Sequence, residues 1–317
     1  MPDVLERPTV PDVQGQADAR RVDLQRVGVR RVDLPVAIRQ RDGGVLPVVA
    51  RLSLSADLAG PTKGSHMSRF IEALEDWRGE ALSPDVLARL LADVRVRLGA
   101  TSAHLDARFP YFLTKHAPVT GRAGTMGYAC TIAAVLDGGG YTHVLGAEVA
   151  VTTLCPCSKA IADAGAHNQR AWVRLRVRPR PGADLWFEDL IRHVETLGSC
   201  ELYPVLKRAD EKAVTERAYA NPRFVEDVLR DVVLWLRADP RVAWFEAECE
   251  ADESIHAHNA FAQQTETVPG GAEPAAVAGR HRAAPDLRGF AGGASGRDHG
   301  DWPLPIAPRP RAAVAGH

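Results

Sequence analysis

Two runs of strand and helix pattern, set on either side of a glycine-rich turn, constrain this chain most. The turn is Asp137-Gly138-Gly139-Gly140, a composition that interrupts regular structure. Before it, VVARLSLSADL (48–58) alternates apolar and polar residues at the period of a half-buried strand. HMSRFIEALEDW (66–77) and SPDVLARLLADVRVRLGA (83–100) carry helical patterns. The second has Ser83 as N-cap, Pro84 at the first helical position and Gly99 near its end. Strands are expected around 102–116 and 123–136. After the turn, 142–154, 171–179 and 241–252 read as strands, and 184–198 and 221–238 as helices. The element order is similar in the two halves, although their sequences are not. An α+β fold of two related units, 25–137 and 138–267, is therefore expected.

With 317 residues, 45% of them hydrophobic, the chain can bury a large core. A formal net charge of −1 offers no broad charged surface for nucleic acid or a membrane. Apolar runs such as DVVLWL are too short to span a bilayer, and the N-terminal stretch lacks a signal-peptide core. A soluble cytoplasmic protein is expected. Five cysteines, an odd and sparse count, argue against a disulfide framework and suit a reducing compartment. Residues 1–24 are polar and punctuated by proline, and 268–317 consist mostly of Gly, Ala, Pro and Arg. Neither can offset its ordering entropy by burial, so both are expected to be disordered.

Chemistry concentrates in four segments. In TTLCPCSKAIADAGAHNQR (152–170), Pro156 stops strand pairing and sets Cys155 and Cys157 at a strand end, before a short polar helix. A thiolate at a helix N-terminus is stabilised, whether as metal ligand or nucleophile. Structural and redox roles stay open on these residues alone, and the spacing is poor for a zinc knuckle. His167 follows in a polar loop. In SCELYPVLKRADEKAVTERAY (199–219), Glu201 follows a helix end, where orphan carbonyls disfavour a carboxylate unless a metal or cation meets it. In DESIHAHNAFA (252–262), His256 and His258 share a face if the preceding strand continues. TKGSHMSRFIEAL (62–74) places His66, Ser68 and Arg69 at a helix start, a setting suited to phosphate. The common glycine-rich phosphate loops are absent.

Taken together, LCPCSKAIADAGAHNQR, SCELYPVLKRADEKAVTERAY, SIHAHNAFA and GSHMSRF resemble the signature segments of type IB GTP cyclohydrolases, over about 25–265. One departure is Ala160, where acidic residues are usual. The resemblance implies a tunnelling fold: tandem antiparallel-sheet units with helices on one face, assembled into a homotetrameric barrel. It implies hydrolysis of GTP to 7,8-dihydroneopterin triphosphate and formate, the entry to tetrahydrofolate synthesis. It implies a divalent metal (Zn, Mn or Fe) on Cys155, Glu201 and His256, with His258 as the alternative, in sites at subunit interfaces. No organic cofactor is implied.

The chemistry is consistent with that set. Opening the guanine imidazole ring needs water to attack C8, and a metal supplies hydroxide near neutral pH. Three protein ligands leave a position open for that water. His167 is the expected acid/base, with Cys157 close to the metal. Glu216 is the expected guanine anchor, accepting from N1–H and the 2-amino group, which adenine does not offer. His66, Arg69, Lys159, Lys207 and Arg208 are the candidates for the triphosphate. A sibling cyclohydrolase forming a cyclic phosphate, a nitrile reductase with a cysteine nucleophile, and a GTP-binding module without turnover are the alternatives.

Overall fold

A single mixed sheet of ten strands organises the computed structural model, which describes residues 12–270. In chain order the elements are β1 (Leu24–Arg39), β2 (Val45–Leu58), α1 (Met67–Trp77), β3 (Ala81–Leu82), α2 (Pro84–Leu98), β4 (Ala103–His116) and β5 (Ala123–Asp137). They continue as β6 (Gly140–Leu154), α3 (Pro156–Ile161), β7 (Asn168–Pro179), α4 (Phe187–Glu195), β8 (Cys200–Glu201), α5 (Arg208–Ala220), α6 (Val225–Ala238), β9 (Val242–Ala251) and β10 (Ala260–Thr267). The strands lie in the order β10-β9-β7-β6-β5-β4-β2-β1-β3, with β8 paired to β6 off that path. The Gly-rich turn joins β5 to β6, and the sheet runs across it through Asp137↔Gly140.

The alternation seen in the sequence decides the two faces. Along β4, residues Ala103, Leu105, Ala107, Phe109, Tyr111 and Leu113 are buried in turn. They join one apolar cluster with Phe70 of α1, Leu87, Leu90 and Leu91 of α2, Leu190 and Ile191 of α4, and Val228 and Val232 of α6. The opposite face carries charge. Arg174 of β7 donates to Glu148 on β6 (2.7 Å) and to Glu248 (2.6 Å) and Glu250 (2.7 Å) on β9. Burial pushes the Glu248 carboxyl upward, against the pull of Arg174.

Four sequence expectations are revised. Two strands, not one, precede the first helices. The missed β1 has register shifts between Leu24 and Val27 and between Val29 and Val32, and Arg31 stands at φ 60, so its alternation is broken. The first expected disordered segment, 1–24, is in part ordered. Asp18 N–H donates to Pro61 O (2.8 Å) and Lys63 N–H to Gln16 O (3.0 Å), while residues 1–11 lie outside the described residues. At the other end Val268 is buried and its N–H donates to Ala243 O at 3.0 Å. The rest of the expected tail, from 271 on, lies outside the described residues. Finally, the strand expected over 241–252 ends at Ala251, so the condition under which His256 and His258 would share its face is not met.

At the start of β6, His143 stacks on Tyr141 with ring centroids 5.5 Å apart. Burial lowers the pKa of His143 from 6.5 to about 4. The unfolded chain therefore takes up this proton first, and stability present above pH 6.5 falls as the pH drops toward 4. After discounting for partial exposure, the loss is expected to be on the order of 2 kcal/mol. Urea midpoints measured across this range for the wild type and His143→Phe check it: the variant should lose that part of the slope.

Candidate active site

Strand register gathers the candidate residues. Val151 of β6 pairs with Ala171 of β7 on one side and Glu201 of β8 on the other, and Ala171 pairs in turn with Ala251. Beyond this row lies one rim of the sheet. Cys155 follows the end of β6, His167 precedes β7, and the segment from Asp252 to His258 follows β9.

At that rim Cys155 and His167 are locked together through Ser158. Cys155 N–H donates to His167 O (3.0 Å), His167 N–H donates to Ser158 Oγ (3.1 Å), and Ser158 N–H donates to Cys155 Sγ (3.4 Å). Cys155 is the N-cap of α3 and Pro156 occupies the first helical position, so the thiol accepts an otherwise orphan helix N–H. Gly165, at φ +77, lets the following loop turn back so that His167 faces the cysteine. The His167 side chain is only 14% exposed. Its Nδ1 lies 2.9 Å from Gln169 Oε1, whose amide donates to Thr153 Oγ1 (3.2 Å). With that carbonyl as acceptor, Nδ1 carries the proton and Nε2 is the basic nitrogen. Ser254 Oγ (3.5 Å) and Glu253 Oε2 (3.9 Å) approach the same Nδ1 from the loop after β9.

Glu201 sits where β5 and β6 part. Their pairing ends at Ala129↔Glu148, and β8 enters beside β6 from there. The cation that the sequence called for is Lys115 of β4. Its Nζ lies 2.9 Å from Glu201 Oε2 and 2.7 Å from Glu195 Oε1. Tyr128 also donates to Glu195 Oε1 (2.7 Å), and the Tyr203 ring lies 4.7 Å from Lys115 Nζ. Arg217 of α5 donates to Tyr203 Oη (3.3 Å) and comes within 3.9 Å of Glu201 Oε1. Lys115, His116, Arg192, Glu195, Glu201 and Tyr203 help line a cleft of about 420 Å³.

Helix α5 is tied to this end of the sheet. Lys159 donates to Tyr219 O (2.5 Å), Asn221 Nδ2 to Gly198 O (3.0 Å), and Arg223 N–H to Leu154 O (3.0 Å). Asp210, fully buried, accepts from Val119 N–H (2.9 Å), Thr120 N–H (2.8 Å), Thr120 Oγ1 (2.7 Å) and Lys207 N–H (2.9 Å). These donors overcome the upward push of burial and hold its carboxyl below the ordinary range. Glu216, on this helix, is exposed and pairs with Lys212 at 2.5 Å.

Other expected residues lie apart. His256 and His258 are exposed on the loop between β9 and β10, not on one strand face, with their rings stacked 5.3 Å apart. Cys157 is exposed, and Cys155 and Cys157 are free thiols. His66 contacts Asp12 (3.5 Å) and Arg69 donates to Arg97 O (3.0 Å). Both follow the end of β2. The register Ala56↔Ala103, then Ala103↔Leu136, then Leu136↔Tyr141 places that end beside the start of β6. Cys155 lies past the opposite end of β6, roughly 40 Å of strand away. Lys115, Glu195, Tyr203, Arg217 and Ser254 were not anticipated. Lys115 alone carried a legible signal: it occupies the inward register of β4 after Leu113, where a charge needs a buried partner.

No group of three or more His, Cys, Asp or Glu side chains converges to hold a metal ion within one chain among the described residues. The donors at this rim nonetheless suit a divalent ion in kind: a thiol receiving a helix N–H, a carboxylate bordering a cleft, and exposed imidazoles. Among the described residues no helix is long and apolar enough to cross a membrane.

The fold and rim define a mixed α+β protein with a thiol, an imidazole and a clamped carboxylate set out along one end of its sheet. Residues 10–262 match the model of the type I GTP cyclohydrolase folE2 family, and the chain belongs to that family. It is 45% identical over 251 residues to the GTP cyclohydrolase FolE2 of Maridesulfovibrio salexigens, covering 79% of this chain and 97% of that one. It is 47% identical over 251 residues to the GTP cyclohydrolase FolE2 of Thermotoga neapolitana, covering 79% and 95%. Among solved structures, the uricase of Arthrobacter globiformis is matched with a TM-score of 0.45 at 10% identity, covering 78% of this chain and 95% of that one.

Proposed function

We propose that this chain hydrolyses GTP to 7,8-dihydroneopterin triphosphate and formate in the cytoplasm, the entry step to tetrahydrofolate synthesis. The observation that carries this reading is the closed Cys155–Ser158–His167 arrangement at the sheet rim, inside the region matched to the family. Cys155, Glu201 and His256 are the proposed ligands of one divalent metal (Zn, Mn or Fe), with His258 as the alternative to His256. When bound, such an ion activates water for attack on guanine C8. The chain's own groups do the rest. His167 Nε2 exchanges protons with the purine nitrogens, while Gln169 holds its ring orientation. Glu216 accepts hydrogen bonds from the guanine edge. Cys157 stands beside the ligand thiol.

The same reading has 25–137 and 138–267 as tandem tunnelling-fold units. The phosphate candidates His66 and Arg69 and the Cys155 rim lie at opposite ends of one sheet. They can share a substrate only across two copies, which supports sites at subunit interfaces; the resemblance puts the number of copies at four, a homotetramer. Lys207, Lys159 and Arg208 add cations near α5.

The test is formate release and pterin fluorescence from metal-stripped protein given GTP, with Zn²⁺, Mn²⁺ or Fe²⁺ restored singly. Metal-dependent formate with a neopterin triphosphate product is expected. A cyclic-phosphate product, or no turnover with any metal, overturns the reading. Cys155→Ala should lose bound metal and activity together, checked by metal analysis of the purified variant. Glu216→Ala should raise KM for GTP by about tenfold or more, as loss of charge-assisted hydrogen bonds worth about 1.5–3 kcal/mol requires, with metal content unchanged.

A further inference from the structure

We propose that Lys115 is the positioning residue for Glu201, and that Glu195 and Tyr128 anchor it for that task. The inference rests on the reading of Glu201 as a metal ligand. Lys115 is 8% exposed at its side chain, and Glu195 6%. An ammonium taken this far from water must be compensated by charge and hydrogen bonds. Glu195 Oε1 accepts from both Lys115 (2.7 Å) and Tyr128 (2.7 Å), so this carboxylate is held from two strands, β4 and β5. Glu195 belongs to α4, whose apolar side is locked into the core through Leu190, Ile191 and Val194.

Glu195 and Glu201 both border the cleft, but Glu201 is the more open of the two: it is 28% exposed and lies on a two-residue strand. Lys115 holds only its Oε2, at 2.9 Å. Oε1 has a long contact of 3.9 Å with Arg217 and is the oxygen left to a ligand. The buried part of the cluster thus sets the direction of the more exposed carboxylate. A carboxylate whose second oxygen is held by such an outer partner loses far less side-chain freedom when it coordinates. Tyr203, whose ring covers the ammonium at 4.7 Å, is its third partner beside the two carboxylates.

The test is Mn²⁺ binding to the metal-stripped full-length protein, read from the electron paramagnetic resonance of free Mn²⁺, alongside the Mn²⁺ dependence of GTP turnover. The proteins are wild type, Lys115→Met, Glu195→Gln and Glu201→Gln. Glu201→Gln should lose Mn²⁺ binding. Lys115→Met should bind Mn²⁺ about 10–100-fold more weakly, the usual cost of removing an outer-shell partner. Its kcat at saturating Mn²⁺ and its KM for GTP should return to near wild-type values, a rescue that mere structural damage does not show. Glu195→Gln keeps the shape and the Tyr128 hydrogen bond but not the anchoring charge. It should shift affinity in the same direction, and it decides the matter if Lys115→Met does not fold. Wild-type or tighter Mn²⁺ binding by the folded Lys115 and Glu195 variants, with binding lost in Glu201→Gln, overturns the role of Lys115 alone. Low turnover that saturating Mn²⁺ does not restore also overturns it. Wild-type Mn²⁺ binding by Glu201→Gln overturns the ligand reading, and the positioning role with it.

Discussion

Replacing His167 with alanine is expected to lower kcat on GTP by about a hundred- to ten-thousand-fold, the contribution of a positioned acid/base group. The ring is held for that task. Gln169 occupies Nδ1, the side chain is 14% exposed, and Ser254 and Glu253 approach from the neighbouring loop. The bonds that tie this residue to Cys155 and Ser158 use its backbone N–H and carbonyl, so alanine keeps them. Melting temperature should therefore barely move while turnover collapses. Added imidazole should recover part of the rate, because it restores the missing base without restoring the side chain. A variant that turns over GTP at the wild-type rate would remove His167 from the chemistry.

The second large effect lies outside the reacting groups. A Cβ on Gly198 would stand 2.7 Å from Val151 Cβ and 2.9 Å from Thr152 O, contacts that neither side can yield without moving a strand. Gly198→Ala is therefore expected to push the chain entering β8 away from β6 and to cost about 1–3 kcal/mol, as overpacking of a close contact does. Glu201 follows three residues later and pairs with the same Val151, so its carboxylate moves as well. Activity should fall by more than the loss of folded protein explains. Gly79→Ala is the control, because nothing lies within 4 Å of its added Cβ. Urea denaturation and specific activity per folded protein, measured on both variants, check the contrast. Equal behaviour of the two would show that β8 tolerates displacement.

Particular elements show how far local pattern reaches. Strands β2, β4, β7 and β9 were legible because burial on one face imposes alternation on the residues themselves, whereas β5 and β6, with runs of buried residues, were legible as apolar stretches set off by the Gly-rich turn. Helix α2 carried Ser83, Pro84 and Gly99 at its ends, and the structure places them at the N-cap, first-turn and C-cap positions. Strand β1 escaped because its bulges reset the phase. Strand β10 escaped because it is an edge strand of mostly polar residues, AFAQQTET, with little burial to record. The strand expected over 241–252 is β9, and the condition for His256 and His258 to share its face is not met, because alternation in a strand says nothing about where pairing ends.

The sequence by itself determined the chemical inventory and the local form of the rim. Pro156 ends β6 just before Cys155, and the spacing to His167 allowed one short helix and a return, since both follow from backbone sterics within a few residues. Which side chains meet was decided only by tertiary structure. The row Glu201–Val151–Ala171–Ala251 joins residues up to 100 positions apart, and it follows from strand register alone. Lys115 could be read as a charge in an apolar register, but its partners Glu195 and Glu201 lie on elements that only the folded sheet brings beside it. Local sterics act between neighbours in sequence, whereas the compensation of a buried charge depends on whatever the fold packs around it.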